Sequence, residues 1–240
     1  VKIVNYKKDS ESIYFHSSNN VILKITVLRD SVLRFRYTTD GVFPTDFSYA
    51  IDENFAHGYN SLEIEDRLDY YAIRTNKIEC RVRKEDLRTS ILDLEGRVIL
   101  EDELGFHWEE YYEHGGNIVK MSKQSKDGES FYGLGDKASH LNLKGRRVEN
   151  WAMDQYAFHK DQEPLYKVVP FYIGLHHNKS YGIFFDNTFK TFFDFCHERR
   201  NVTSFWAEGG EMNYYFFYGP KMSDVVVNYT HLTGKPELPP

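Results

Sequence analysis

The sequence predicts an all-β protein, a two-sheet antiparallel β-sandwich with one short C-terminal helix, on three observations. Short segments rich in Val, Ile, Tyr and Phe recur along the chain and are bounded by Asn, Asp, Ser and Gly, the pattern of strands and turns. Helical and strand patterns do not alternate, so there is nothing to build a parallel sheet. Only one segment, near the end, reads as a helix. With 18 Tyr, 18 Phe and 3 Trp among 240 residues, the chain has enough bulky apolar surface to fill a large core, and one domain is expected over residues 1–240.

Taken in order, Val21 to Leu28 and Leu33 to Tyr37 flank the turn Arg29, Asp30, Ser31 and read as a hairpin. In the second of these strands, apolar residues alternate with Arg34 and Arg36, which predicts one wet face. Ile73 to Val82 reads as one strand, and Ser90 to Leu100 as another interrupted by the turn Glu95, Gly96. The polar run Ser122 to Ser130 looks like a surface loop. Val168 to His177 and Tyr181 to Asp186 form a hairpin across Asn178, Lys179, Ser180. Thr191 to Cys196, Thr203 to Ala207 and Met212 to Tyr218 continue the meander, with Gly209 and Gly210 at a tight turn. Ser223 is a candidate N-cap for a helix reaching about Leu232, stopped by Gly234 and Pro236. The stretch from Lys137 to Lys167 is too long for an ordinary connection, so it either contains short strands or is a functional loop.

Charge and motif content exclude several functions. A formal net charge of −6, with no block of Lys or Arg, argues against nucleic acid as a partner. The apolar runs are far shorter than the ~20 residues a membrane helix needs, so no membrane partner is expected. Val1 stands where an initiator Met would, and an amino-terminal segment is expected to be missing. The compartment stays open, with a lean to the cytoplasm. Cys80 and Cys196 are far apart and read as two buried free thiols, and His176 and His177 would point to opposite faces of a strand. No metal and no cofactor are expected.

Individual residues narrow the choice. Gly133 and Gly135 are spaced as in a nucleotide-binding phrase, but the third glycine and the following helix are absent, so strand-edge glycines are the simpler reading. Glu101, Asp102, Glu103, Glu109 and Glu110 read as solvated faces, and Trp206 and Glu208 as core and edge residues. Asp154 is the carboxylate of interest. It lies in the long loop between Trp151 and Tyr156, flat apolar surfaces of the kind sugar rings stack on, while a carboxylate accepts their hydroxyl hydrogen bonds. Read from composition alone it is a turn or capping residue; Asp161, in the same loop, is a second and lesser candidate.

Seven phrases in order over residues 131–240 resemble glycoside hydrolase family 31. They are Phe131, Tyr132, Gly133, Leu134, Gly135, Asp136, Lys137; Trp151, Ala152, Met153, Asp154, Gln155, Tyr156; Pro164, Leu165, Tyr166, Lys167; Pro170, Phe171, Tyr172; Tyr181, Gly182, Ile183, Phe184, Phe185, Asp186, Asn187; the Gly209, Gly210 turn; and Leu232, Thr233, Gly234, Lys235, Pro236 with Leu238, Pro239, Pro240. The first 130 residues match only in strand character. Where the family commonly has Asn and Thr before the Asp, this chain has Ala152 and Met153.

The resemblance implies a galactose-mutarotase-like supersandwich, the N-terminal domain of an α-glucosidase, with a linker from about residue 234 to a catalytic (β/α)8 barrel that these residues lack. It implies that the parent hydrolyses terminal α-linked glucose from oligosaccharides with retention, through two barrel Asp residues absent here, so no catalytic residue is assigned and the fragment alone is expected to be inactive. It also implies that Asp154 contacts substrate from a sandwich loop, with Trp151 and Tyr156 beside it. The expected partners are therefore that barrel and an α-glucoside oligosaccharide. The alternatives are a stand-alone carbohydrate-binding β-sandwich, which the proline-rich phrase at Pro240 argues against, or the same domain of an α-xylosidase, α-galactosidase or α-glucan lyase.

Overall fold

The structure, a computed structural model, describes residues 1–55, 58–59, 62–111 and 116–237. The strands β1 (Ile3–Lys8), β2 (Ser12–Ser17), β3 (Ile22–Arg29) and β4 (Val32–Thr38) form one meander. A second runs through β5 (Glu63–Asp66), β6 (Tyr70–Arg74), β7 (Ile78–Arg83), β8 (Thr89–Asp93), β9 (Val98–Tyr111) and β10 (Gly116–Gln124). The chain then distributes β11 (Ser130–Gly135), β12 (Arg147–Asn150), β13 (Val168–His176), β14 (Lys179–Phe185), β15 (Thr191–Phe195), β16 (Val202–Ala207) and β17 (Met212–Gly219) between the two sheets, and ends in α1 (Met222–Thr233). The first sheet has the order β1-β2-β3-β4-β17-β14-β13-β11 and the second β12-β15-β16-β10-β9-β8-β7-β6-β5, all antiparallel. The two-sheet sandwich with a late helix is thus as the sequence predicts.

The core lies between the sheets. Phe35 and Tyr214 of the first sheet stack at 4.9 Å, and Phe205 of the second meets Tyr214 edge-on at 5.4 Å. Across this core Lys123 Nζ donates to Asp102 Oδ1 at 2.5 Å and to the Tyr214 hydroxyl at 2.9 Å, while Asp102 Oδ2 accepts from the Thr89 amide and hydroxyl. Both charges are buried, their side chains each 1% exposed. A second apolar layer covers the outer face of the first sheet, where α1 and residues 50–55 pack on Phe171, Phe184 and Phe217. Phe171 stacks on Tyr229 of α1 at 4.0 Å.

Several expectations need correction. Ile73 to Val82 is a hairpin, β6 turning through Thr75, Asn76, Lys77 into β7, because the Thr75 hydroxyl accepts the Ile78 and Lys77 amides and stops the strand. Ser122 to Gln124 is the end of β10, and only Ser125 to Glu129 is loop. Asp102 is buried rather than solvated, since Lys123 supplies its counter-charge. Ser223 lies inside α1; the N-cap is Lys221, whose amide donates to Asp224 Oδ2 at 3.2 Å. The β13–β14 turn is His177 and Asn178, both with positive φ (47° and 58°), so the two histidines do not point apart; their Nδ1 atoms are 3.3 Å from each other. Cys80 is buried, but Cys196 is only half-buried. Trp206 is buried not in the core but on the outer face of the second sheet, stacked on Phe192 beneath Lys120 and Arg147. The phrase Leu238, Pro239, Pro240 lies outside the described residues.

Candidate functional site

The glycine phrase of β11 sets where the long loop begins. Gly133 and Gly135 have φ of +132° and +78°, and a Cβ on either would lie 2.5 Å from the Phe171 carbonyl oxygen or 2.4 Å from that of Lys167. The register slips between these two glycines, so they form a bulge in an edge strand, the strand-edge role expected of them. The bulge brings the chain beside Lys167, where the Asp136 amide donates to the Lys167 carbonyl at 2.9 Å, and closes the base of the 137–167 segment.

That segment is neither structureless nor continuous. It contains β12, paired on β15, and the excursion after it, residues 151–167, folds back on itself. The Met153 amide donates to the Leu165 carbonyl at 3.0 Å and the Glu149 amide to Glu163 Oε2 at 2.8 Å, forming a neck. The Tyr166 hydroxyl reaches the Gln155 carbonyl and Phe158 lies edge-on to Tyr166 at 6.2 Å. Partial burial pushes the Glu163 carboxyl up and the Lys137 ammonium down.

The candidate residues fall in different places. Asp154 is exposed and its side chain meets no partner among the described residues, which leaves its acceptor lone pairs free. Tyr156 is 93% exposed near the tip, whereas Trp151 at the neck is 47% exposed, and their rings do not contact each other. Asp161 is turned back toward the sandwich: its amide donates to the Ala138 carbonyl at 2.6 Å and its carboxylate receives Arg146 Nη1 at 2.7 Å.

Beside the neck runs a groove of about 400 Å³, bordered by Trp151, Asn150, Tyr49, Asp186, Phe189 and Tyr229. The loop carrying Tyr49 is pinned to the sheet by Asp46, which takes Arg34 in a bidentate pair (2.7 and 2.8 Å) and Arg36 at 3.2 Å. Asp186 Oδ1 accepts from the Ser48 hydroxyl at 3.0 Å and Oδ2 from Asn213 at 3.2 Å; burial raises its carboxyl, against the pull of Ser48 and Arg34. The sequence points to Trp151 but not to Tyr49, Phe189 or Asn150, because no local pattern shows that three distant segments converge there.

Comparison with known proteins places this arrangement. A family model described as the glycosyl hydrolase 31 N-terminal galactose mutarotase-like domain matches residues 22–194. The chain is 30% identical over 234 residues to alpha-glucosidase 2 of Bacillus thermoamyloliquefaciens, covering 96% of this chain and 29% of that protein. It is 33% identical over 131 residues to alpha-xylosidase XylQ of Lactiplantibacillus pentosus, over 54% of this chain and 16% of that one. Among solved structures, the GH31 dextranase of Flavobacterium johnsoniae complexed with glucose superposes with a TM-score of 0.92 at 30% identity, over 100% of this chain and 29% of that chain. The chain therefore spans less than a third of the length of these relatives.

Proposed function

Since the chain belongs to the family of glycosyl hydrolase 31 N-terminal galactose mutarotase-like domains, we propose that it is the N-terminal domain of an α-glucosidase, bracing a catalytic barrel and lending the 151–167 loop to the mouth of the active site. In this reading residues 1–240 are one domain, and the barrel follows a linker from about residue 234. The parent removes terminal α-linked glucose with retention of configuration, and the barrel supplies both carboxylates of the double displacement.

The observation that carries the reading is the state of Asp154, an exposed carboxylate with no partner among the described residues, on a loop whose neck is held by the Met153–Leu165 backbone hydrogen bond and by the Glu149 amide on the Glu163 carboxylate. A carboxylate so placed fixes a sugar by accepting charge-assisted hydrogen bonds from its hydroxyls. Trp151 and Tyr156 add apolar faces on either side of it in the chain. The relatives include both an alpha-glucosidase and an alpha-xylosidase, so substrate choice is the finer part of the proposal.

The test is to assay the longer polypeptide and the 240-residue chain in parallel against aryl α-glucosides and α-xylosides. The reading requires preferential turnover of the glucoside by the longer polypeptide and none by the chain alone. Preferential turnover of the xyloside would overturn the α-glucosidase assignment, and turnover by the chain alone would overturn the placement of chemistry in the barrel.

A further inference from the structure

The groove beside the neck adjoins a second one of about 170 Å³, and the two share Tyr49, Asp186 and Phe189 as walls. The rings on this surface are held in place. Phe189 lies over the Gly209–Gly210 turn, where a Cβ would come within 2.6 Å of its ring at Gly209 and 3.0 Å at Gly210, so glycine leaves the room the ring needs. Asn187 fixes that turn: its Oδ1 accepts the Phe189 amide at 2.8 Å, and its Nδ2 donates to the Gly209 and Glu211 carbonyls at 2.9 and 3.1 Å. Phe47 and Tyr49 meet edge-on at 4.8 Å on the loop that Asp46 pins to the first sheet. Yet Phe189, Phe47 and Tyr49 are 50%, 67% and 85% exposed.

Fixed aromatic side chains left in water have the composition of an interface core. Met222 and Val226, also exposed, extend the apolar strip along α1 from Tyr229, at the spacings of one helix face. The carboxylates here, Asp186 and Glu211, are already engaged within the protein, the first by Ser48 and Asn213 and the second by Arg36, so covering this surface leaves neither without a partner. The outer face of the second sheet differs, because its rings Phe192 and Trp206 are lidded by Lys120, Arg147 and Lys190, whose charged ends suit water. The course of the chain points to the occupant. The Asp52 amide donates to the Leu232 carbonyl at 2.9 Å, and a Cβ on Gly234 would lie 3.5 Å from Asp52 Oδ2, so α1 ends against the loop that carries Tyr49 and hands the chain on beside the grooves.

We propose that this face, formed by Phe47, Tyr49, Phe189 and the strip along α1, is the docking surface for the catalytic barrel, whose apolar side chains fill the two grooves. The proposal rests on the barrel of the reading above. A partner that follows α1 in the same chain is tethered at the rim of the surface it covers, so docking is intramolecular and loses little association entropy. The same contact bears on the loop: Trp151 walls the larger groove and the Met153 amide closes the neck, so a docked barrel fixes the base from which Asp154 extends.

Hydroxyl-radical footprinting of the longer polypeptide, normalised to the intrinsic reactivity of each side chain, tests this without any substitution. Phe47, Tyr49 and Phe189 should be oxidised at least about fivefold more slowly than their exposure in the sandwich predicts, since water is excluded from an interface core. Leu68 at the β5–β6 turn and Leu104 on β9, both exposed, should react as free side chains. Protection should persist on dilution from micromolar to nanomolar protein, because the partner is tethered. Rings that react as their exposure predicts overturn the docking surface; protection lost on dilution assigns the face to a second copy and also overturns it. The occupant is identified by replacing Tyr49 with a photoreactive benzophenone amino acid in the longer polypeptide. Its cross-links should fall in peptides that follow residue 240, and cross-links to peptides that precede residue 1 overturn the proposal. Failure of the glycosidase reading is seen separately: protected rings in a polypeptide that turns over no aryl α-glycoside support the docking surface and overturn only the assigned activity.

Discussion

Arg146 Nη1 and Asp161 Oδ1 meet at 2.7 Å, tying the far side of the long loop to the turn that precedes β12. This pair separates the roles of two carboxylates that are similar in sequence: Asp161 is spent on the fold, Asp154 is not. Asp161 also has φ of +66°, a conformation that Asn tolerates and Ala does not. Asp161→Ala in the longer polypeptide should therefore raise KM by no more than about fivefold with kcat nearly unchanged, the worth of a partly exposed ion pair. Asp161→Asn should recover most of that loss. Steady-state kinetics on the two variants checks this.

The ion pair of Lys123 and Asp102 makes a stability prediction. Removing one partner strands a charge in the core, so Lys123→Met should cost about 3–5 kcal/mol in urea unfolding. Lys123→Met combined with Asp102→Leu should cost less than Lys123→Met alone, because no lone charge remains.

This pair also shows where sequence reasoning stops. Val119, Met121 and Lys123 share one face of β10, and only the tertiary partner across the core makes a lysine there acceptable. Read locally, Lys123 belongs to a polar loop. The strands near Leu33 and Met212 were legible because apolar alternation is a local property, and the loop holding Asp154 because its length and aromatics are local too. The groove was not: Tyr49, Asn150 and Phe189 are brought together by the pairing of β12 on β15 and by the Asp46 ion pairs, neither of which leaves a short-range trace.

Gly133→Ala should destabilise by roughly 2–4 kcal/mol, since the added methyl would meet the Phe171 carbonyl at a positive φ. Gly128→Ala, also at positive φ but with nothing within 4 Å, should cost only about 1–2 kcal/mol. Thermal unfolding of the two variants separates the steric from the conformational cost.

Asp93 joins the two sheets through Lys179 and also takes Arg97 Nε at 2.9 Å. Burial alone would raise its carboxyl, but these hydrogen bonds outweigh burial and hold it well below the usual carboxylate range. A depressed folded-state pKa gives stability that is present above the unfolded value near pH 4 and is lost as pH falls toward the folded one. The stability gap between wild type and Asp93→Asn should thus be widest near neutrality and shrink below about pH 4. A gap independent of pH would contradict the linkage.

If Asp154 reaches substrate from the sandwich, kcat/KM of Asp154→Ala in the longer polypeptide is the quantity that must change. Losing charge-assisted hydrogen bonds worth roughly 1.5–3 kcal/mol each should lower kcat/KM by about tenfold to a hundredfold, with measurable activity remaining and Tm unchanged. A kcat/KM within about twofold of wild type, as for any solvent-exposed turn residue, would contradict the account.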